Sequence, residues 1–589
     1  MKIKIGRKKL HLLFVSLLII LGFSLRVVYL NVIPPGLAND ESNVILNAQS
    51  IVKTGKNIPG VVTGIIGKPA GDYISGAHGE LSSYFIAMIY LFTGFSEKTA
   101  RIPFAIFSMG VVLFLYLISE KLFKRGVSYI LLVFAVFNPW LIQFGRAGYE
   151  SIISSFFYIV AIYVFLKTRG WKIFYSLPFL LAGFLSYFSA KVLLLPLSIS
   201  FLLYLFLLGK SDKKRSIKPV IYLNVFVIIF LVLYSLLLTK SYPGARISEL
   251  TGNPYATIVD YKRTHSISFP FVSIVENKFI EDFYYRVDKT LGGISATFLF
   301  LNGLPESSGH LKIPDQGPLY LLDFLFIIVG FIYLSRNYLK ESIFLLFLTM
   351  ITFLPNFLDI GNTTYSMRQV ILIPILIIVS AVGAYALYEL IRDNYKKKIV
   401  YLWLGVLLCI TYIFFISRFI FQYYYRLPIE NNDAFFFQDR IATSYIKRYL
   451  YKNPNMTVEW VVKDKHFSLF RYLYFSGIYK NREDINSVNR LLEDKIYDLG
   501  NLNISDTCPE NYTNGSLYIF DATLKCINQE GNVLIPNIND AGAKYVLAND
   551  PVCKTYEHKR YPLIRSFKIL YLENLEDGDF CVNYITKQS

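Results

Sequence analysis

The chain has 589 residues, of which 54% are hydrophobic and only 17% charged, against roughly 25% charged in an ordinary soluble protein. That balance excludes a disordered chain, a collagen, a coiled coil or a disulfide-dense miniprotein for the bulk of the molecule. The net charge of +18 would point to a nucleic-acid partner on a soluble protein, but its placement along the chain gives it another meaning.

Crossing a bilayer takes about 20 mostly apolar residues. Such runs fall at about 10–30, 103–119, 127–142, 151–167, 173–188, 191–209, 219–239, 318–335, 341–356, 369–391 and 400–420. This predicts an α-helical polytopic membrane protein with about 11 transmembrane helices, and up to 13 if interrupted runs such as those with Pro139, Pro196 and Pro374 are divided differently. A shorter run at 81–95 reads as an interfacial or half-inserted helix. The basic start, MKIKIGRKK, resembles the n-region of a signal peptide. No small-residue cleavage site follows, and Arg26 stands where cleavage would fall, so the first run is expected to stay as a helix.

Charge orients the map. The segments assigned inside hold 22 Lys and Arg, in clusters around Lys2–Lys9, Lys121–Arg125, Lys167–Lys172, Lys210–Lys218, Arg336–Lys340 and Arg392–Lys398. The short segments assigned outside hold three: Arg146, Lys191 and Arg368. Positive-inside bias then places the N-terminus in the cytoplasm and the C-terminus outside a cell membrane. It also accounts for much of the net charge without a nucleic acid.

Residues 1–420 are expected to form the membrane domain, with outside loops at about 31–101 and 240–317. Residues 421–589 are expected to form an extracytoplasmic α/β domain. In that tail, Thr457–Val462, Ser516–Phe520, Lys544–Leu547 and Ser566–Leu572 read as strands, and Phe467–Phe475 and Val488–Lys495 as helices. Cys508, Cys526, Cys553 and Cys581 lie there, an even number in an exported domain, which points to two disulfides with three pairings open.

Transporters gather polar groups near the midplane. Here they gather at the outer ends of helices and in the first loop. Pro34-Pro35-Gly36 ends the first helix, and Asn39 or Asp40 is placed to cap the next, which runs to about Lys53 and stops at Gly55. Val44, Ile45, Ala48, Ile51 and Val52 share one face, so this helix is expected on the membrane surface. Asp40 and Glu41 suit a general base with a neighbour that tunes it. They equally suit two acids that complement a helix dipole.

The order PPGLANDESNVILNAQSIVKTG, RIPFAIFSMGVVLFLYLISEKLF, NPWLIQFGRAGYESIISSFF resembles the lipid-dependent glycosyltransferases of the GT-C fold. It is most similar to family 39, with the dolichyl-phosphate-mannose–protein mannosyltransferases and the lipid A aminoarabinose transferases. The resemblance covers roughly residues 10–210, and more loosely 290–390. It implies an inverting transfer of one sugar from a polyprenyl-phosphate donor to a protein, lipid or glycan acceptor at the outer face. Asp40 would be the base with Glu41 beside it. Arg146 would match the family's arginine in that segment and Glu150 its acidic position.

With Arg146, the cations Arg368 and Lys191, which open other helices on the same side, are candidates for the donor phosphate. Tyr149, Glu150, His78 and Gln316 are candidates for substrate contact. The segment Gly71–Leu81 lacks the basic-Pro-Pro-Leu element of many members, and His78 stands where its basic residue would be. The paired-Trp signature of oligosaccharyltransferases is absent: Trp140, Trp171, Trp403 and Trp460 stand alone. No cofactor is required, although Asp40, Glu41 and Glu150 together could bind a divalent cation. Asp323, inside an apolar run, is a potential partner for Arg368. From a different class, a flippase or transporter for a lipid-linked sugar is the alternative.

Overall fold

The computed structural model describes residues 7–59, 61, 78–208, 217–238, 255–267, 269–303, 306–358, 366–394 and 398–587, apart from 514, 528–531, 538–541, 549–551, 554, 557–563 and 565. Residues 71–77 of the atypical first-loop stretch, and 240–254 of the second loop, lie outside the described residues.

The first half of the chain is helical: α1 (Arg7–Val27), α2 (Asn39–Thr54), α3 (Ser82–Thr93), α4 (Ile102–Leu122), α5 (Arg125–Phe137), α6 (Pro139–Phe144), α7 (Ser151–Lys167), α8 (Leu177–Ser186), α9 (Leu194–Leu208) and α10 (Lys218–Leu238). Among the described residues, seven helices are long and apolar enough to cross a membrane: Lys9–Val27, Ile102–Leu122, Phe188–Leu208, Lys218–Leu237, Leu339–Leu358, Leu372–Asp393 and Leu402–Glu430. Shorter apolar helices, α3, α5 and α7 among them, pack with these. Leu and Phe cover the outward faces of the spans, as expected where the surroundings are lipid and not water.

Close packing in the bundle uses missing side chains. A Cβ on Gly383 would lie 1.8 Å from the Phe326 carbonyl oxygen, and one on Gly330 would lie 2.2 Å from that of Val379. The helices Leu321–Asn337 and Leu372–Asn394 therefore meet backbone to backbone. At the start of the first of these, Asp323 accepts hydrogen bonds from the Tyr320 N–H (2.9 Å) and Ser380 Oγ (2.8 Å). It thus closes a helix cap and a helix–helix contact, and Tyr320, Ser380 and Tyr412, not Arg368, are its partners.

The tail contains one six-stranded sheet, in the order β2-β1-β3-β5-β4-β6. Its strands are β1 (Val458–Val461), β2 (Leu502–Ser505), β3 (Leu517–Asp521), β4 (Val533–Pro536), β5 (Ala543–Ala548) and β6 (Thr586–Lys587). β1 pairs in parallel with both β2 and β3, and the remaining pairs are antiparallel. Helices Lys465–Ser476 and Arg482–Glu493 match the helical stretches read from the sequence. The expected strand at 566–572 is instead a run of turns ending in a short 3₁₀ helix at Leu572–Asn574. The disulfides are Cys508–Cys526 and Cys553–Cys581.

The surface position expected for α2 is not what the structure shows. Its residues from Glu41 to Ser50 are all buried, because α3 covers one side and the tail helices Lys465–Ser476 and Arg482–Glu493 cover another. Its N-cap falls on Ala38, without a side-chain cap, and Gly55 closes its other end in the left-handed region.

Candidate active site

The turn between α1 and α2 is held by its carbonyls. The first helix already ends at Val27, before the Pro34-Pro35-Gly36 stretch expected to end it. Tyr29 is left-handed, and the two prolines keep the segment from resuming a helix, which leaves backbone oxygens of this buried turn in need of donors. Four buried arginines supply them. Arg101 donates to the carbonyls of Leu30 (3.3 Å), Pro34 (2.9 Å) and Gly36 (2.6 Å). Arg146 donates to Leu25 and Ile33, both at 2.9 Å. Arg440 reaches Asn31 (3.3 Å) and Pro35 (2.9 Å). Arg471 reaches Leu37 (3.2 Å) and the side-chain oxygen of Asn39. The Leu37 N–H donates to the Phe435 carbonyl at 2.7 Å. A Cβ on Gly36 would sit 2.0 Å from that same oxygen, so the turn and the tail touch as closely as only glycine allows.

Asp40 and Glu41, adjacent in sequence, have opposite fates. Glu41 is fully buried. Arg101 holds both its oxygens (Nε to Oε1 2.6 Å, NH2 to Oε2 2.9 Å), and the Gly148 N–H donates to Oε1 at 2.8 Å. It therefore cannot serve as a second open base. Asp40 is exposed at the start of the same helix. Its charge acts on Tyr149, Tyr187 and His310. Tyr187 also feels the charges of Arg368 and Glu150. Asp40, Glu150 and Arg368 thus lie near enough to act on Tyr187, and Asp40 also acts on Tyr149 and His310.

Burial decides the protonation of these groups. Burial lowers the pKa of His310, although the charges of Asp40 and Glu41 pull the other way, so its imidazole is neutral at pH 7. Burial raises the Tyr149 phenol well above its usual value, helped by Glu41 and Asp40. Its hydroxyl donates to the His310 carbonyl (3.4 Å) and is a neutral donor here. Glu150, also buried, accepts from Ser82 Oγ and from the Gly79 N–H (3.1 and 3.3 Å), and faces His78 Nδ1 at 3.4 Å. His78 Nε2 in turn accepts from Asn43 Nδ2 (3.2 Å). An Asn43–His78–Glu150 chain therefore ties α2 to the start of α7.

Arg368 ends the 3₁₀ turn Ser366–Arg368 and is half-buried. Arg146 and Lys191, expected with it at a donor phosphate, are placed otherwise. Arg146 is buried, spends its fork on the turn, and lies over the rings of Tyr423 and Tyr424 (5.6 and 4.9 Å). Lys191 is paired with Glu80 (2.5 Å), which Tyr234 also bonds at 2.5 Å, and its ammonium is packed among Phe184, Phe188 and Tyr234. Gln316 folds back on the Gly317 and Leu319 carbonyls (2.9 and 3.2 Å). Among the described residues, no three His, Cys, Asp or Glu side chains are grouped to hold a metal ion.

Sequence reasoning missed Arg101, Arg440, Arg471 and Tyr187. Arg101 carried a usable signal. An arginine directly before a long apolar helix, facing an Asp-Glu pair on the same side, needs an acid if it is buried. Arg440 and Arg471 carried none, because only the tertiary fold brings them to the turn.

A membrane protein with an open carboxylate and a half-buried cation at the end of its helices is the class that this site defines. Residues 77–238 match the family model described as dolichyl-phosphate-mannose-protein mannosyltransferase, and this stretch includes two of the three segments that carry the family resemblance. Among solved structures, the oligosaccharyltransferase AglB from Archaeoglobus fulgidus, in complex with an inhibitory peptide and a dolichol-phosphate, is 12% identical. That match covers 92% of this chain and 75% of the other, with a TM-score of 0.48. ArnT from Cupriavidus metallidurans bound to undecaprenyl phosphate is 11% identical over 92% of this chain and 98% of the other, with a TM-score of 0.47. No curated protein matches the chain in sequence.

Proposed function

We propose that the chain is a glycosyltransferase that moves one sugar, with inversion, from a polyprenyl-phosphate donor to a hydroxyl acceptor at the outer membrane face. The observation that carries this reading is the placement of Asp40. It is an exposed carboxylate at the end of a rigidly held turn, and it acts on the same tyrosine as Arg368. Asp40 takes the proton of the acceptor hydroxyl as that oxygen attacks the anomeric carbon. The bond from that carbon to the phosphate oxygen breaks on the opposite face, and the phosphate keeps the electron pair. Arg368 balances the charge that develops on the departing lipid phosphate. Glu41 positions Asp40 through Arg101, and Arg146 supports the turn from behind.

The N-terminus lies in the cytoplasm and the tail outside, in line with the basic clusters between the spans. The acceptor then approaches from the aqueous side and the donor from the lipid. The family match at 77–238 supports the chemical class.

The test is purified protein incubated with a panel of dolichyl- and undecaprenyl-phosphate sugars, read as release of free lipid phosphate and labelling of an added acceptor. Donor-dependent transfer that Asp40→Asn abolishes supports the reading. Lipid-linked sugar that crosses vesicle membranes without being consumed would identify a flippase instead.

A further inference from the structure

Between α10 and the helix Leu321–Asn337 lies a lobe that none of the roles above uses. It comprises Ala256–Thr264, Val272–Val275 and Lys278–Gly292. The last helix is amphipathic in the wrong sense for water. At 100° per residue, Phe279, Ile280, Phe283, Tyr284, Val287 and Leu291 fall on one side. On a soluble protein that side would face the core. Here Phe279 is 76% exposed, and Phe283, Tyr284 and Leu291 are exposed beside it.

The polar side is largely paired, and Asp288 on it stays exposed. Glu281 pairs with Lys262 (2.5 Å), Asp282 pairs with Arg286 (2.7 Å), and Lys289 is buried. The preceding segments continue the apolar surface with Ile258, Tyr261, Phe269, Phe271, Ile274 and Ile267, the last 95% exposed.

The lobe is also fastened at a definite level. Arg286 donates to the carbonyls of Phe357 and Leu358 (3.0 and 3.1 Å), where the span Leu339–Leu358 ends. Gln369 donates to the Gly293 carbonyl (2.5 Å) just before the span Leu372–Asp393 begins. An apolar surface of this extent, rimmed by charge and tied to the ends of two spans, needs a covering partner.

We infer that this lobe lies in the outer leaflet of the bilayer, with its apolar face among the lipid chains and its charged side turned toward the protein and water. The surface is continuous with the lipid-facing sides of the spans that hold it. Its basic groups Lys262, Arg263, Lys278 and Lys289 alternate with Asp260, Glu276, Glu281 and Asp288, so depth of apolar burial and not net charge sets its attachment. The choice of leaflet rests on the orientation proposed above; the lipid contact itself does not.

The test uses the full-length protein in phosphatidylcholine/phosphatidylglycerol nanodiscs. Cys409, the free cysteine, is first replaced by Ser. A nitroxide is then placed at Phe279→Cys, Phe283→Cys or Asp288→Cys, with Tyr284→Cys and Leu291→Cys as substitutes for any variant that does not elute as folded protein. Collision rates with oxygen and with a water-soluble nickel chelate report the surroundings. Lipid contact predicts an oxygen-to-nickel ratio several-fold higher at 279 and 283 than at 288. Nickel access at 279 and 283 equal to that at 288 would overturn the inference. So would labels that are immobile and shielded from both reagents, as a second copy of the chain or another protein surface would make them. Labelling from outside alone, with an impermeant thiol reagent on intact cells, tests the leaflet separately.

Discussion

The four arginines around the first turn come from two places in the chain, and the two pairs hold it differently. Arg101 and Arg146 belong to the helical half. Arg101 is neutralised by Glu41, one residue from Asp40, whereas Arg146 has only carbonyls, tyrosine rings and the Tyr424 hydroxyl among its described contacts. Arg440 and Arg471 belong to the tail, and both are braced by acids of the tail itself. Glu573 holds Arg440 through both oxygens (2.9 and 2.8 Å). Asp439 holds Arg471 at 2.6 Å and is itself held by Tyr545 at 2.6 Å. The helical pair fixes the shape of the turn. Of the tail pair, Arg440 holds Asn31 and Pro35 in the turn, and Arg471 fixes where the start of α2 points, through Leu37 and Asn39. A carboxylate can be left open and still be precisely aimed only if its neighbours carry all the restraint.

Removing the aimed group itself should have the largest effect. Asp40→Asn keeps the size and leaves all four guanidinium contacts in place, and general-base catalysis is worth about 10²–10⁴-fold. Transfer per folded molecule should fall by that factor, with normal membrane insertion. Wild-type transfer would remove the base from the proposed mechanism.

Next come the two pairs, which should fail in different currencies. Arg101→Ala strands the buried Glu41 carboxylate, and breaking a buried ion pair costs roughly 3–5 kcal/mol. The expected result is a fall in thermal unfolding temperature and in yield. Arg471→Ala also strands a buried carboxylate, Asp439, which keeps its Tyr545 and Ser468 contacts. Beyond any loss of stability, turnover per folded molecule should fall by about 10²-fold, the scale of a small misplacement at a reacting centre, with donor KM little changed. In an Asp40→Asn background the same change should add almost nothing. A loss of equal size in both backgrounds would mean that Arg471 supports folding alone.

The smallest effect sharpens the contrast by pH. His466 is on the same helix as Arg471. It is buried with neither ring nitrogen hydrogen-bonded, and burial lowers its pKa to about 4. In the unfolded chain it titrates near 6.5. Its folded pKa is the lower one, so below pH 6.5 the unfolded state binds more protons. Stability is full above that pH and is lost as pH falls toward 4, by about 2 kcal/mol at pH 5. His466→Phe should flatten that limb in a denaturation series between pH 7 and 5. An unchanged limb would place the acid sensitivity elsewhere.

The helical nature of the first 420 residues was legible, because long apolar runs interrupted by basic clusters have few other meanings. So were α2 with Asp40 in its first turn and its stop at Gly55, and the sheet-forming runs at 458, 517 and 543. What was not legible shares one cause. Arg146 and Lys191 read as cations for a donor phosphate because a sequence shows charge but not burial. Glu80, Tyr234 and the carbonyls of the first turn, which absorb those cations, are set by contacts between distant segments. Even the apolar stripe of α2, read correctly as a stripe, was assigned to lipid because nothing local showed that a tail beginning almost 400 residues later would cover it.

That distance has a consequence for how the molecule is made. Arg471 bonds Leu37 across 434 residues, and Arg440 bonds Pro35 across 405. During synthesis the first turn leaves the ribosome with half of its donors still untranslated. The helical half can insert and pack while Asp40 is unaimed, and the proposed catalytic geometry closes only once the tail sheet has folded. A chain truncated before the tail would therefore be a membrane protein with its helices in order and its carboxylate adrift.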